Sequence, residues 1–376
     1  MDRDQQGTGS SFNYNYFSSP VSTLGNAPNS GYTIADVLRS GTDPDNPKII
    51  DFNYQYHYAD GAVSDPLKLS TYWMYKFHGS AGEYNQWHWV GQNNHLSTGE
   101  GYTMKGSSGK LGILDLQNYV FTGMPNNGPI SFSIGQGENR LVGNPYPSAI
   151  DADKFIQQNL KTSNGEYIFN GTLYFWSHFS GKTHYLQRYE GGYAMYNLLG
   201  SAVAVANDAR INATGESGGM EPKRFIPPGQ AFFINTAEDD EVPNETSKLP
   251  LPVGMIGGEV SFNNSQRVFQ KEDPSQSVFH SKEKPLTGTS KTEEEKSTEQ
   301  DTRKKIWLKS RSPLGYHRQL LVGADSRSTV KFDPGFDAPI HDLVEEDIYW
   351  KMDHMELVIQ GVPDFHKGIE LPLEVK

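Results

Sequence analysis

The chain contains no cysteine. Disulfides, thiolate nucleophiles and Cys-ligated zinc are therefore excluded, and stability has to come from packing alone. Long apolar runs are missing too: no stretch approaches the ~18–20 consecutive apolar residues of a membrane-spanning helix. Basic residues are outnumbered, 33 Lys and Arg against 45 Asp and Glu for a formal net charge of -12. A nucleic-acid partner is excluded on that ground, because a phosphate backbone needs a concentrated Lys/Arg face. The opening residues, Met1-Asp2-Arg3-Asp4-Gln5-Gln6-Gly7, lack the basic and apolar regions of a secretory signal. The expectation is either a cytoplasmic protein or a piece of a longer polypeptide whose export signals lie elsewhere.

Signatures of catalysis are equally scarce. No complete Walker A loop or His-Glu-x-x-His helix occurs. Ser107 and Lys110 form a nominal Ser-x-x-Lys pair, but Gly106 and Gly109 disfavour the helical turn that would bring them together. His78, His88 and His95 in one segment, and His178 and His184 in another, have no close spacing of the kind that marks a metal site. Glu83, Glu100, Asp151 and Asp153 lie near aromatics and are candidates for a glycosidase-type carboxylate pair, a role that depends on how the fold spaces them.

What is abundant is aromatic residues and turn formers. Twenty Tyr and 19 Phe, with 38 Gly and 22 Pro across 376 residues, favour many short strands over long helices. The alternating run 49–58 reads as a half-buried strand, and Tyr72–Phe77, Leu173–Trp176 and Ala231–Ile234 read as strands bounded by turns. Helical patterns are confined to Thr33–Arg39 and to Ser148–Leu160, the latter opening on Ser148 as N-cap.

Three landmarks occur twice in the same order. A Ser/Pro/aromatic turn (Tyr16–Pro20; Gly143–Ser148) precedes a short helix, then an aromatic strand (Thr71–Met74; Leu173–Trp176), then a Gly-centred segment (Leu96–Lys105; Ile226–Asn235). Such a pattern reads as a duplication. The expected fold is all-β and mainly antiparallel: tandem β-sandwich or jelly-roll-like modules with one or two short helices, plus a small C-terminal β unit. Expected boundaries are a disordered N-terminus (1–11), module 1 (12–135), module 2 (136–271), an acidic disordered linker (272–305) and the C-terminal unit (306–376), which reads as truncated. The linker follows from its charge and its few apolar residues, which cannot offset the entropy of ordering.

Two sets of residues are candidates for binding. Trp73, Trp87, Trp89 and Trp176 are platforms on which sugar rings can stack. Alternation puts Trp87 and Trp89 on one strand face, which serves a binding strip or a buried sheet face, and the burial energy of large aromatics favours the core. Asp333, Asp337 and Asp342 offer oxygen ligands for calcium in loops but lack EF-hand spacing, so solvated turns are the plainer reading. No other cofactor is indicated.

Leu141-Val-Gly-Asn-Pro-Tyr-Pro-Ser-Ala-Ile-Asp151, Asn170–Trp176 and Ile226–Phe233 resemble segments of large exported Bacteroidetes proteins that carry a type IX secretion sorting domain. Tyr14–Val21, Gly99–Gly106, Trp307-Leu308 and Gly315–Val322 extend the resemblance over most of residues 12–376, the linker excepted. The resemblance implies export and an extracellular or outer-surface location, with other domains of a longer polypeptide as neighbours. It carries no catalytic residues. Adhesive, structural or polysaccharide-binding roles follow as expectations, with a surface polymer as partner. The competing expectation is a carbohydrate-active enzyme with paired acids beside an aromatic cleft.

Overall fold

The computed structural model describes residues 2–6, 9–80, 83–109, 116–178, 183–185, 191–205, 221–236, 253–270, 301–340 and 343–376. The fold is all-β, with strands far outweighing helix. Nine strands build its centre: β1 (Tyr14–Phe17), β2 (Tyr75–Ser80), β3 (Trp87–Trp89), β4 (Tyr102–Lys105), β5 (Glu138–Gly143), β6 (Leu173–His178), β7 (Gly191–Asn197), β8 (Gly200–Ala202) and β9 (Ala231–Asn235). Seven of them form one sheet in the order β8-β7-β6-β9-β5-β2-β3, and β1 pairs with β4 separately. This sheet continues across 135/136, because β5 pairs antiparallel with β2 as well as with β9. Strand β1 lies against β6, and β4 against β2, so the two pairings curve toward each other around a shared interior.

The two landmark sets occupy corresponding places. Phe17 pairs with Tyr102 in the first half and Val142 with Phe232 in the second. Across the halves the contacts are reciprocal: Phe17 bridges Gln230 while Glu100 bridges Val142. The Ser18 N–H donates to the Gly229 carbonyl (2.8 Å), and the Gly143 N–H donates to the Gly99 carbonyl (3.0 Å). Gly99 and Gly229 both have positive φ, 87° and 76°, a conformation that disfavours a Cβ and so explains why glycine stands at both turns.

Among the described residues each half carries one short α-helix. In the first, α1 (Ile34–Val37) is capped by the Thr33 side chain, and it stops early because Leu38–Ser40 joins a strand pairing with Phe121–Tyr119. In the second, α2 (Ala152–Asn159) is capped by Asp151 rather than Ser148, since Ala149–Asp151 is a strand held by Phe225–Ile226 and Arg267–Val268. The expected strand 49–58 also breaks up. Lys48–Ile49 and Asp51–Asn53 are strands, but the Asn53 side chain accepts from the Gln55 N–H and the chain turns over residues 54–60. Asp2–Gln6, expected to lack structure, pairs with the strand Leu116–Phe121 through main-chain bonds, which need no apolar side chains.

The C-terminal unit is a sheet of β10 (Lys305–Arg311), β11 (His317–Ala324), β12 (Ile348–Met352), β13 (Met355–Val362) and β14 (Leu373–Val375), in the order β10-β11-β13-β12-β14. Its core is continuous with that of the second half: Leu198, Leu199, Phe332, Phe336 and Leu321 belong to one buried cluster. The turn 333–337 docks through main chain, with Gly335 donating to the Asn170 carbonyl and accepting from the Leu198 N–H, both at 2.9 Å. Residues 272–300 of the expected linker lie outside the described residues. At its end Asp301 pairs with Arg303 (2.8 Å) and Lys305 (2.6 Å). No helix among the described residues is long and apolar enough to cross a membrane.

Candidate functional site

The 54–60 turn leaves aromatic rings outside the core. Ser70 Oγ donates to the Gln55 carbonyl (2.8 Å) and Trp73 Nε1 to the Tyr56 carbonyl (2.7 Å), which fixes the turn against residues 70–73. Tyr54 is 60% exposed, Tyr56 51%, Tyr84 71% and Trp89 44%. Ring centroids lie 5.6 Å apart for Tyr54 and Trp89, 5.4 Å for Tyr54 and Tyr72, and 6.4 Å for Tyr56 and Tyr72. Burial raises the Tyr75 hydroxyl above the usual phenol value, and the neighbouring hydroxyls of Tyr72, Tyr54 and Tyr84 add to that rise. Five phenols and an indole thus share one surface. Trp89 is oriented by its Nε1–H, which donates to the Thr71 carbonyl at 2.8 Å.

Beneath the turn lies a buried amine. Lys105 Nζ sits 3.5 Å from the centre of the Trp73 ring and 4.9 Å from that of Tyr14. It is 3.1 Å from His184 Nδ1. His184 Nε2 lies 3.1 and 3.0 Å from the two oxygens of Asp60, which also accepts from Ser11 Oγ at 2.7 Å. The imidazole stacks on Trp73 (5.2 Å, 17°) and faces Phe12 and Tyr56. Desolvation lowers the Lys105 pKa to about 6, against the attraction of Asp60. Burial also lowers that of His184; the hydrogen bond to Asp60 opposes this, and Lys105 and His57 reinforce it.

The four tryptophans divide. Trp87 and Trp89 stand across from Phe77 and Tyr75 on one face of β3, but that face runs from the interior to the rim. Trp87 packs on Phe77 (5.0 Å) and Phe233 (5.9 Å), while Trp89 opens to solvent. Trp176 stacks on Tyr16 (6.1 Å), inside, and Trp73 is buried against Lys105. Only Trp89 joins the exposed rings, with Trp73 as their buried backing.

Three of the four candidate acids, Glu100, Asp151 and Asp153, are paired with basic side chains. Glu100 accepts from Lys76 (3.2 Å) and the Ser97 N–H (2.7 Å), with Arg140 at 3.6 Å. Asp151 receives two bonds from Arg224, whose Nε is also 3.4 Å from Asp153. Glu83 is exposed, and Lys110 lies outside the described residues. His78 meets Glu138 (3.0 Å) and His95 the Ser30 carbonyl (3.1 Å). Asp337 accepts from the backbone N–H of Gly361 (2.7 Å) and Asp333 (2.6 Å), and Asp333 accepts from that of Thr329; Asp342 lies outside the described residues. Among the described residues no three acidic or histidine side chains converge on a metal position.

Sequence reasoning missed Tyr54 and Tyr56 because the run 49–58 was read as a half-buried strand, with its rings on one face. It missed Lys105 because its partners Tyr14, Trp73 and His184 are all distant in sequence. The signal that was there is Asn53, a turn former inside the alternating run.

No curated protein and no solved structure matches the chain. A family model described as a domain of unknown function, DUF8693, matches residues 56–376, which takes in most of both halves and the whole C-terminal sheet. The chain belongs to the DUF8693 family.

Proposed function

We propose that the chain is a non-catalytic, polysaccharide-binding region of an exported bacterial surface protein, and that a glycan lies across Tyr54, Tyr72, Tyr84 and Trp89. The observation that carries this reading is the exposed ring cluster. Contiguous exposed aromatic surface marks an interaction site more often than chance exposure, and Tyr and Trp offer an apolar face for sugar C–H groups with a polar tip for their hydroxyls. The surface location rests on the resemblance to type IX exported proteins. Three of the four acids considered for hydrolysis, Glu100, Asp151 and Asp153, are held by Lys76, Arg140 and Arg224, which supports binding over turnover.

The test is a polysaccharide array probed with the whole chain, followed by product analysis on each hit. Binding without released sugar is expected, with Trp89→Ala weakening it about tenfold or more, the scale of one good aromatic contact. Released oligosaccharide sinks the non-catalytic reading, and binding indifferent to Trp89→Ala and Tyr54→Ala sinks the platform.

A further inference from the structure

Lys105, His184 and Asp60 form a chain that joins β4, residues 183–185 and the 54–60 turn. A carboxylate has only acceptors, so the single imidazole proton sits on Nε2, facing Asp60, and Nδ1 accepts from the Lys105 amine. At neutral pH the amine, its pKa lowered to about 6, and the imidazole are both uncharged in a site walled by Trp73, Tyr14 and Phe12. Acid protonates both. Nδ1 becomes a donor aimed at another donor, and two positive charges stand 3.1 Å apart in a poorly solvated place.

The groups around the imidazole decide the outcome. From the 54–60 turn come Asp60, His57 and Tyr56; from β1, Tyr14; from the N-terminal segment, Ser11 and Phe12; from the 71–73 turn, Trp73. Among these described neighbours Asp60 alone supplies negative charge, and it is already shared with Ser11. Asp60 holds the protonated imidazole, so the pair that separates is His184 and Lys105. The turn bearing Tyr54 and Tyr56 goes with Asp60.

We propose that this chain of groups is an acid-sensitive latch on the aromatic platform. Acidification drives the His184–Asp60 pair away from Lys105, loosens the 54–60 turn, and releases a glycan that the platform holds at neutral pH. The ligand half of this rests on the platform reading above; the latch half does not. The direction of the His184 shift agrees, since a lowered histidine pKa gives stabilisation that is full above the usual value of about 6.5 and lost as pH falls through it.

The test is hydrogen exchange of residues 54–61 in the full chain at about pH 7.5 and about pH 5, on either side of the ordinary imidazole range and corrected for intrinsic rates. The wild type is expected to lose protection about tenfold or more in acid. His184→Gln spans both contacts without titrating, and Lys105→Met removes the opposing ammonium; each should hold its protection at both pH values. Equal protection of the wild type at both pH values overturns the latch, as does the same acid loss in both variants. If Lys105→Met fails to fold, His184→Gln still decides. Glycan binding is measured in parallel: silence at the higher pH defeats the platform, whereas the exchange result judges the latch independently.

Discussion

The two halves close their corresponding strand ends in different ways. In the first, Lys105 pairs with Tyr14 and is covered by the chain's own 54–60 turn through two side-chain donors, Ser70 and Trp73. In the second, Asn235 pairs with Asn139, and the neighbouring Asn170–Gly171 segment is covered by the turn 333–337 of the C-terminal sheet, main chain to main chain. The second cover admits no intervening group, because a Cβ on Gly171 would sit 2.4 Å from the Gly335 Cα. The first leaves rings facing solvent. The same strand arrangement therefore serves assembly at one end and presents a surface at the other.

Their charge chemistry is also opposite. The first cover holds a buried base and the second a buried acid, Asp337, whose pKa burial pushes up to about 8 against the pull of its Gly361 and Asp333 backbone donors. A raised carboxyl pKa gives stabilisation that is complete below the usual value of about 3.9 and lost as pH climbs through the folded one. A lowered lysine pKa works the other way: stabilisation is complete above the usual value of about 10.4 and lost as pH falls toward about 6. The first cover is strained as pH falls from about 10.4 to about 6, and the second as pH rises from about 3.9 to about 8.

The strongest way to break the comparison is Gly171→Val. With φ at +73° and the Gly335 backbone in the way, it should cost about 3 kcal/mol or more. Chemical denaturation should then show the C-terminal sheet melting ahead of the rest. Next comes the pH contrast. Melting temperature against pH should flatten between about pH 6 and about pH 10 in Lys105→Met and between about pH 4 and about pH 8 in Asp337→Asn; a shared response in both would show that the two covers are not separately tuned. A smaller effect is expected from Trp73→Phe, which keeps a ring over Lys105 but removes the bond to the Tyr56 carbonyl, about 1 kcal/mol. Smallest is chelator. With Asp333 and Asp337 taken up by backbone donors, it should move the melting temperature by less than about 1 °C, and a larger drop would reveal a bound cation.

Much of the strand framework was legible because aromatic runs such as 173–176 and 231–234 are short and bounded by turn residues. The Gly99 and Gly229 turns could be matched by their neighbours alone. The site was less legible for a physical reason: which ring is exposed depends on contacts distant in sequence. Trp87 and Trp89 share a face, as alternation requires, but only Phe233 and Tyr16 determine that the first is packed inside. Likewise, Ser148 resembles an N-cap until Ile226 and Arg267 draw residues 149–151 into a strand.

The exchanged bonds between the halves, Ser18 with Gly229 and Gly143 with Gly99, have a consequence for the order of events during synthesis. A nascent chain emerging N-terminus first holds β1 and β4 long before the residues that complete their surroundings. Tyr16 must wait for Phe233, and Phe17 for Gln230. Contacts of such sequence separation form late and slowly, so the first half remains unfinished until Gln230 and Phe233 have been made. A chain built this way stays open until its second half has emerged.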